Sequence, residues 1–460
     1  MGQTGQQDHS VRRQVVIALI GVSLMVNKPA YVRWMLMQEA RAMLVRLSQV
    51  KPFVLTESTV PAANASLAAQ SAIDRYLMAG RHTLRLQVQA YLHWLHGLDD
   101  ENTHPAEAQQ RLSLLRLRFN ATLSQLDIFA DVLTQRSEYE TGIRLAGLDV
   151  VAADALRLEN YYVSPPVICY LDRGSGAAIR RARTRLPGGG ENPVAVIRVP
   201  RERMIGSGIA SSLIHEVGHQ AAALLNLTNS LRQVLQQQER EVKDSIWRHW
   251  ERWISEIVAD FWSVARVGVT STLGLIGVVS LPRAFVFRMN MNDSHPFPWI
   301  RVILSCAMGQ ALYPHPQWHR LAQLWKSFYP KADLDTAGYT LLNQLEAGIP
   351  EFIDLLIHHQ PRSLHGQSLI EVMDSANRQP DRLNAYFEQW QRAPAAMYRT
   401  APTLVFAVIG QARSNGRMSP EQESAILTKL LTHWAIRSTL RTHATCVMPE
   451  LTPPIVKVSS

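Results

Sequence analysis

The sequence has few cysteines. Only 3 occur among 460 residues, Cys169, Cys306 and Cys446, and they lie far apart with no CxxC pair. This spacing argues against a disulfide framework and against a zinc site built from cysteine thiolates. A chain of this size with so few cysteines fits a reducing compartment, so we predict a cytoplasmic protein.

Long apolar runs are also missing. Arg12 and Arg13 precede an apolar stretch over residues 15–26 that resembles a signal-peptide core, but no small-x-small cleavage site follows it. We predict a buried first helix there; export by this segment, or without a recognisable signal, is the alternative. A second apolar stretch over residues 267–281 is interrupted by the sequence TST. Both are too short to cross a bilayer as a helix, so we predict no transmembrane span.

The sequence lacks a high charge density and an internal repeat. Charged residues make up 18% of the chain, hydrophobic residues 47%, and the formal net charge is +9. This composition is that of a globular protein long enough for two or three domains. The one dense basic cluster comprises Arg180, Arg181, Arg183 and Arg185. We interpret it as a solvated loop, because no nucleic-acid-binding motif accompanies it, and nucleic-acid binding is the less favoured alternative.

Helical periodicity dominates the chain outside one short segment. Stretches such as "YVRWMLMQEARAMLVRL" repeat apolar residues every three or four positions. In the middle, "PPVICYL" and "NPVAVIRVP" flank a loop rich in glycine and arginine, which predicts two antiparallel strands. We predict a mainly α fold with a small antiparallel sheet. The predicted divisions are an N-terminal helical region (1–156), a core (157–310), a C-terminal helical region (311–445) and a tail (446–460).

The segment "SSLIHEVGHQAAALL" places ionisable groups in an apolar helix. His215 and His219 are four residues apart and therefore lie on one face of a helix. Burying such groups is costly unless they are paired or bind a metal. In an HExxH sequence the two histidines can hold one zinc ion, with the glutamate, here Glu216, as general base. For the motif by itself, the alternative is a histidine pair that is satisfied in the core or lies on the surface.

A second segment, "SIWRHWERWISEIVADFW", supplies further candidates. Its predicted core stripe consists of Trp247, Trp250, Ile254, Ile257 and Phe261. Glu256 and Asp260 lie four residues apart on an adjacent face, and a solvated face is the alternative for them. A catalytic zinc site has three protein ligands and one open position, so Glu256 is the predicted third ligand. We expect Asp260 to accept a hydrogen bond from a ligating histidine and fix its tautomer. His249 is a minor candidate for the same site.

A third segment, "DSHPFPWIR", carries His295 and Arg301 around a proline-constrained turn. An imidazole or a cation at this position can bind the oxyanion that develops on a carbonyl under attack. The sequence HPQWH also spaces two histidines by four residues, His315 and His319. We interpret it as structural, because prolines flank the first histidine and no acidic residue lies near.

Together, HExxH, ExxxD and HP-x4-R resemble the gluzincin metallopeptidases, most closely the group of CAAX prenyl proteases and bacterial heat-shock membrane proteases. The resemblance covers about residues 165–306 and implies a zincin-like catalytic core. The matching positions are His215, Glu216, His219, Glu256, Asp260, His295 and Arg301. The pattern implies one zinc ion on the two motif histidines and the glutamate of ExxxD, with the aspartate in support. The histidine and the arginine of the third segment are implied to contact substrate.

In such folds an edge strand of the sheet pairs with extended substrate. The resemblance assigns this role to Val194, Ala195, Val196 and Ile197. We therefore predict a zinc-dependent endopeptidase that acts on a peptide or protein substrate. The alternatives are an interaction protein on a catalytically inactive protease fold and another hydrolase, such as an amidase, on the same zinc core.

Overall fold

The computed structural model describes residues 28–51, 60–98, 104–172, 176–187, 189–201, 208–242, 246–373 and 375–447. These residues form mostly α-helices together with one three-stranded sheet. The predicted mainly α fold with a small sheet is therefore confirmed. The apolar stretch over residues 15–26 and residues 448–460 of the predicted tail lie outside the described residues.

The described chain divides into two compact units, and the first is helical. It comprises the described residues within Met1–Glu57, Gln70–Asp131 and Arg185–Glu191. Its helices are α1 (Lys28–Ser48) and most of α2 (Leu67–His96) and α3 (Pro105–Thr134). On α1, the residues that enter its hydrophobic core are Leu36, Ala40, Met43 and Leu47. Their three- and four-residue spacing places one apolar stripe of the helix in the core.

The second unit contains the sheet and the later helices. It comprises the described residues within Ser58–Ala69, Val132–Thr184 and Asn192–Ser460. Its strands are β1 (Val167–Asp172), β2 (Ala178–Arg180) and β3 (Ala195–Pro200). Its helices are α4 (Tyr139–Leu156), α5 (Gly208–Leu224), α6 (Leu227–Val242), α7 (Ile246–Val267), α8 (Val269–Val279), α9 (Arg283–Val286), α10 (Pro298–Leu312), α11 (Pro316–Phe328), α12 (Thr336–Ile357), α13 (Leu369–Val372), α14 (Pro380–Arg392), α15 (Pro402–Ser414) and α16 (Pro420–Val447). Short 3₁₀ helices lie at Pro61–Ala63, Gln135–Ser137, Arg362–Leu364, Ala376–Arg378 and Pro394–Arg399.

The sheet has the strand order β1-β3-β2. β3 pairs in parallel with β1, with Val167 opposite Ala195, and antiparallel with β2, with Ile179 opposite Ile197. The predicted antiparallel pairing of the two longer strands is wrong, because the short strand β2 lies between them in sequence. The chain reverses once before β2 and once after it, so β1 and β3 run in the same direction.

The prediction of an edge strand at Val194, Ala195, Val196 and Ile197 is also wrong. The last three of these residues belong to β3, which is the central strand, and the first directly precedes it. The backbone groups of β3 are hydrogen-bonded to β1 on one side and to β2 on the other. A strand that is paired on both sides has no free edge for a substrate.

α5 and α7 pack against each other at unusually short range. A Cβ atom at Gly218 of α5 would lie 2.8 Å from the Ala259 Cα and 3.0 Å from the Trp262 Cβ of α7. Glycine therefore lets the two helix backbones approach at this point. The predicted core stripe of α7 is fully buried, with Trp250, Ile254, Ile257 and Phe261 each at 0% exposure. The approach of the two helices fixes the distance between the side chains that each carries toward the other.

One hydrophobic cluster runs through the second unit, from Leu145 on α4 to Trp434 on α16. It joins the sheet and helices α5 to α10 with the C-terminal helices α11 to α16. α4 lies so close to α16 that a Cβ atom at Gly147 would be 2.5 Å from the Leu431 carbonyl oxygen. The boundaries predicted near residues 156 and 310 therefore do not separate compact units.

Across the described ranges, no helix combines the length and the apolar character that crossing a bilayer requires. The second apolar stretch of the sequence corresponds to α8, which has 11 residues. Its polar interruption is buried: Thr270 donates to the Phe406 carbonyl at 3.1 Å, and Thr272 Oγ1 lies 2.8 Å from Ser305 Oγ. These hydroxyl groups join α8 to its neighbours in the core.

Candidate metal centre

α5 carries the HExxH residues at the margin of the core. Its buried apolar residues include Leu213, Ile214, Val217 and Ala221. His215 and His219, one helical turn apart, place their rings edge to face with centroids 4.9 Å apart. Their side chains are 13% and 15% exposed. The helix therefore anchors itself in the core and presents both imidazoles where a ligand can reach them.

Glu256 of α7 contacts both imidazoles. Its Oε2 lies 3.2 Å from His215 Nε2, and its Oε1 lies 3.5 Å from His219 Nε2. The ligand atoms of the three side chains all lie within 4.8 Å of one another. Ligand atoms about 2.0 Å from one tetrahedral zinc ion are about 3.3 Å apart, and two imidazoles with one carboxylate form a known catalytic zinc set. The three side chains therefore fit a cation such as zinc in both spacing and donor chemistry.

Asp260 of α7 holds His215 through the other ring nitrogen. Asp260 Oδ1 lies 2.7 Å from His215 Nδ1. Arg301 of α10 donates two hydrogen bonds to the same carboxylate, from Nε to Oδ2 at 2.6 Å and from Nη2 to Oδ1 at 2.8 Å. A carboxylate in this position accepts the Nδ1 proton and leaves Nε2 as the ligand atom. In the structure the guanidinium of Arg301 is engaged by Asp260. The substrate contact predicted for Arg301 from the sequence stays a prediction.

His295 reaches Glu256 from the loop before α10. Its Nε2 lies 3.2 Å from Glu256 Oε2, and its Nδ1 lies 2.9 Å from Asp293 Oδ1. The same Asp293 oxygen accepts the backbone N–H of His295 at 3.0 Å. The imidazole is 50% exposed, so it lies between the cluster and solvent. A substrate that enters the centre from this side would meet His295 first.

Two contacts of the centre are missing from the sequence analysis, those of Ser255 and Asp293. Ser255 Oγ lies 3.4 Å from His219 Nδ1. Asp293 could have been found, because an aspartate that bonds a backbone N–H two residues later forms an Asx turn, and DSHP is a turn sequence. No pattern distinguishes Ser255, since a serine beside a helical glutamate is unremarkable in itself.

Glu216 lines a cavity of about 150 Å³ beside the cluster. No hydrogen bond joins its side chain to the described residues. Burial raises the pKa of Glu216, while the imidazoles of His215 and His219 oppose the rise. A raised pKa brings a carboxylate toward the range in which it can take up and return a proton near neutral pH. The other walls of the cavity come from the residues before β2, from α5 and α8, and from Asp260, His295 and Arg301.

The charges of the centre compensate one another. Burial lowers the pKa of His215, but the Asp260 carboxylate outweighs burial and raises this pKa to about 9. Burial raises the pKa of Glu256, but hydrogen bonds from the three histidines hold it below its usual range. Burial also raises the pKa of Asp260, but the charges of Arg301 and His215 hold it below its usual range. Both carboxylates are therefore anionic near neutral pH, as cation binding requires. Without a bound cation, a pKa of about 9 keeps His215 protonated near neutral pH, so a cation that binds Nε2 must displace a proton.

The remaining sequence candidates lie outside the centre. His315 caps α11, where its Nδ1 accepts the Gln317 N–H at 3.2 Å, in agreement with a structural role. His249 stacks on Trp253 with ring centroids 5.4 Å apart, and it is absent from the metal-binding group found among the described residues. The four arginines of the basic cluster are exposed, which confirms that they are solvated, although the first of them belongs to β2.

No protein-family model, no curated protein and no solved structure matches the chain. The resemblance to the gluzincin metallopeptidases stays a prediction that rests on the residues of the three sequence segments. The structure brings those segments together: α5, α7 and the loop before α10 meet at His215, Glu256 and His295.

Proposed function

We propose that the protein is a zinc-dependent endopeptidase. The observation that carries the proposal is the convergence of His215, His219 and Glu256 beside a buried carboxylate, Glu216, in a cavity. Three protein ligands that leave a position open are the arrangement of a catalytic zinc site, whereas structural zinc sites are closed by four. The raised pKa of Glu216 supports its role as general base.

The chain's own residues account for the proton transfers of peptide hydrolysis. Zinc, when bound, supplies Lewis acidity that lowers the pKa of water and polarises a carbonyl group. Glu216 removes a proton from the water that attacks the scissile carbonyl. The same carboxyl then gives this proton to the leaving amine and returns to its starting state. His295 is half exposed beside the cluster, and its Nε2–H would leave Glu256 Oε2 to donate a hydrogen bond to the oxyanion that forms on the carbonyl.

β2 is the proposed binding edge for an extended substrate. It lies at one edge of the sheet, and Gly176 and Ala177, which directly precede it, line the cavity next to Glu216. A peptide that pairs with a strand edge gains backbone hydrogen bonds that do not depend on its sequence. β2 therefore takes the role that the sequence analysis gave to residues 194–197.

We further propose a reducing compartment, the cytoplasm, as the place of action. Cys169 and Cys306 are buried free thiols. Burial raises the pKa of both thiols, which disfavours the reactive thiolate form. Both residues therefore behave as small apolar core residues, and neither takes part in the proposed chemistry.

Elemental analysis tests the metal site without a known substrate. After purification from zinc-replete medium, the wild type should hold about one zinc ion per chain, and Glu256→Ala should lose most of it because two ligands remain. Glu251→Ala is the matched control and should keep the zinc, because this carboxylate of the same helix pairs with Arg232 at 2.8 Å and does not belong to the metal-binding group. Glu216→Gln should also keep it but should not hydrolyse a peptide library, since the amide cannot accept the proton.

Two results would contradict the proposal. The first is the absence of zinc from the wild type and all variants. The second is hydrolysis by Glu216→Gln at the wild-type rate. Zinc in the wild type without cleavage of any library peptide would favour the alternative of an inactive protease fold that serves as an interaction protein.

A further inference from the structure

A second cavity, of about 680 Å³, lies in the second unit and shares no lining residue with the cavity of the metal centre. Its walls come from the end of α4, the 3₁₀ helix Pro394–Arg399, the start of α15 and the later part of α16. Cavities of about 300–1,000 Å³ are the size that holds cofactors and other small organic ligands. We refer to it as the arginine cavity, after Arg157, Arg399 and Arg437 in its lining.

The lining of the arginine cavity is positively charged. Its three arginines come from three separate elements, and the single acidic residue beside them is Asp154. Asp154 Oδ2 already accepts two hydrogen bonds from Thr403 in the first turn of α15, from the backbone N–H at 2.9 Å and from the hydroxyl at 2.7 Å. The lining therefore carries three arginines and one carboxylate, and Oδ2 of that carboxylate is engaged by Thr403.

The three arginines keep hydrogen-bond donors available. Arg399 makes no side-chain hydrogen bond or ion pair with the part of the chain that the structure describes. Arg437 uses one N–H, from Nη1 to the Tyr398 carbonyl at 3.1 Å. Arg157 lies 3.6 Å from Glu159, but the two side chains are 66% and 74% exposed, and such a pair contributes little. Each guanidinium has five N–H donors, so most of them remain for a ligand.

Buried donors adjoin this surface. Trp434 lines the cavity at 4% exposure, and its Nε1–H has no hydrogen-bond partner among the described residues. Arg266, at 9% exposure, donates from Nη2 to the Arg157 carbonyl at 2.6 Å, and its Nε has no partner within the same ranges. A buried cation behind the cavity wall strengthens the positive potential, because the low-dielectric interior screens it little.

We propose that the arginine cavity binds a phosphorylated small molecule. Guanidinium groups bind phosphate through paired N–H donors, and arginine is the residue that suits this geometry best. Arginines on three elements surround a compact anion, whereas the phosphates of a nucleic acid are tracked by an extended groove. The volume exceeds that of a phosphate group, so the organic part of the ligand would occupy the space beside Trp434 and Pro402.

Isothermal titration calorimetry of the full chain with inorganic pyrophosphate and with ATP, without added magnesium, tests this proposal. The wild type should bind at least one of the two probes. Arg399→Ala and Arg437→Ala should each weaken binding about tenfold or more, because each removes charged hydrogen bonds. Arg320→Ala removes an exposed arginine of α11 outside the cavity and should bind as the wild type does. Arg399→Lys keeps the charge but loses the paired donors, so its affinity should be intermediate.

Two controls separate this site from the metal centre. Phosphates also chelate zinc, so the titration is repeated with Glu256→Ala, in which binding should persist. Circular dichroism checks that each variant is folded, and exposed Arg399 is the safest of the changes. The proposal is overturned if the folded wild type binds neither probe, if Arg399→Ala and Arg320→Ala bind equally well, or if folded Glu256→Ala loses binding. Tighter binding of a single-stranded oligonucleotide than of both probes would overturn it in favour of nucleic acid.

Discussion

Asp260 connects two side chains of the metal centre, His215 and Arg301, without itself being a proposed ligand. Its carboxylate contacts His215 on one side and accepts the fork of Arg301 on the other. Arg301 is thereby a positioning residue for Asp260, and Asp260 is one for His215. The orientation of one ligand thus depends on a residue from α10 that lies 41 positions away from Asp260 in sequence.

Asp260→Asn is expected to weaken zinc binding about 10- to 100-fold, because the amide is a poorer acceptor for the Nδ1 proton and leaves a donor of Arg301 unpaired. Competition with a chromophoric chelator at fixed pH measures the affinity. Asp293→Asn is the matched control: this aspartate contacts His295, not a proposed ligand, so its zinc affinity should stay close to that of the wild type. An unchanged affinity in Asp260→Asn would show that Asp260 does not orient His215.

The sequence predicted those residues of the metal centre whose positions follow from regular helix geometry. Four-residue spacing puts His215 and His219 on one face, and the same rule links Glu256 to Asp260. It could not show that Arg301 would be engaged by Asp260, because that contact depends on how α7 and α10 pack. The exposed position of His295 likewise follows from the loop before α10 and not from its local sequence.

Gly218 is the point at which the spacing of α5 and α7 is most restricted. Gly218→Ala should lower the free energy of unfolding by about 1–3 kcal/mol, since the new Cβ would lie 2.9 Å from the Ala259 carbonyl oxygen and the backbones would have to separate. Gly277→Ala on α8 is the control, because a Cβ atom at this position would have no packing neighbour within 4 Å. That change should stabilise by about 0.5–1 kcal/mol through helix propensity. Chemical denaturation measures both, and equal effects would contradict the close approach.

The sheet shows the limit of periodicity as a guide. β1 and β3 have six residues each, mostly buried, and their apolar sequences identify them as strands. β2 has three residues at the start of an arginine-rich segment, too few to show alternation. Without β2, the chain between β1 and β3 reverses once instead of twice, so the two long strands were predicted to be antiparallel. Without β2, β3 also has one neighbouring strand instead of two, so it was predicted to be an edge strand.

The division of the chain could not be predicted from helix patterns, because helices in one core and helices in two cores have the same periodicity. The second unit has a continuous cluster from α4 through α16, and the first has its own cluster on α1, α2 and α3. A helix boundary in the sequence therefore says little about a boundary between cores. The resemblance to a protease pattern marked only the middle of the second unit, about residues 165–306.

Metal removal should affect the second unit, because all proposed ligands belong to it. A ligand that binds only the folded state stabilises it by about 4 kcal/mol at a free concentration a thousand times its dissociation constant. Calorimetry of the wild type should therefore show a transition that falls by several degrees on addition of a chelator, and zinc should restore it. Glu256→Ala should unfold at the lower temperature and should not respond. A wild-type profile that is the same with and without chelator, or an equal shift in Glu256→Ala, would mean that no metal links α5 to α7.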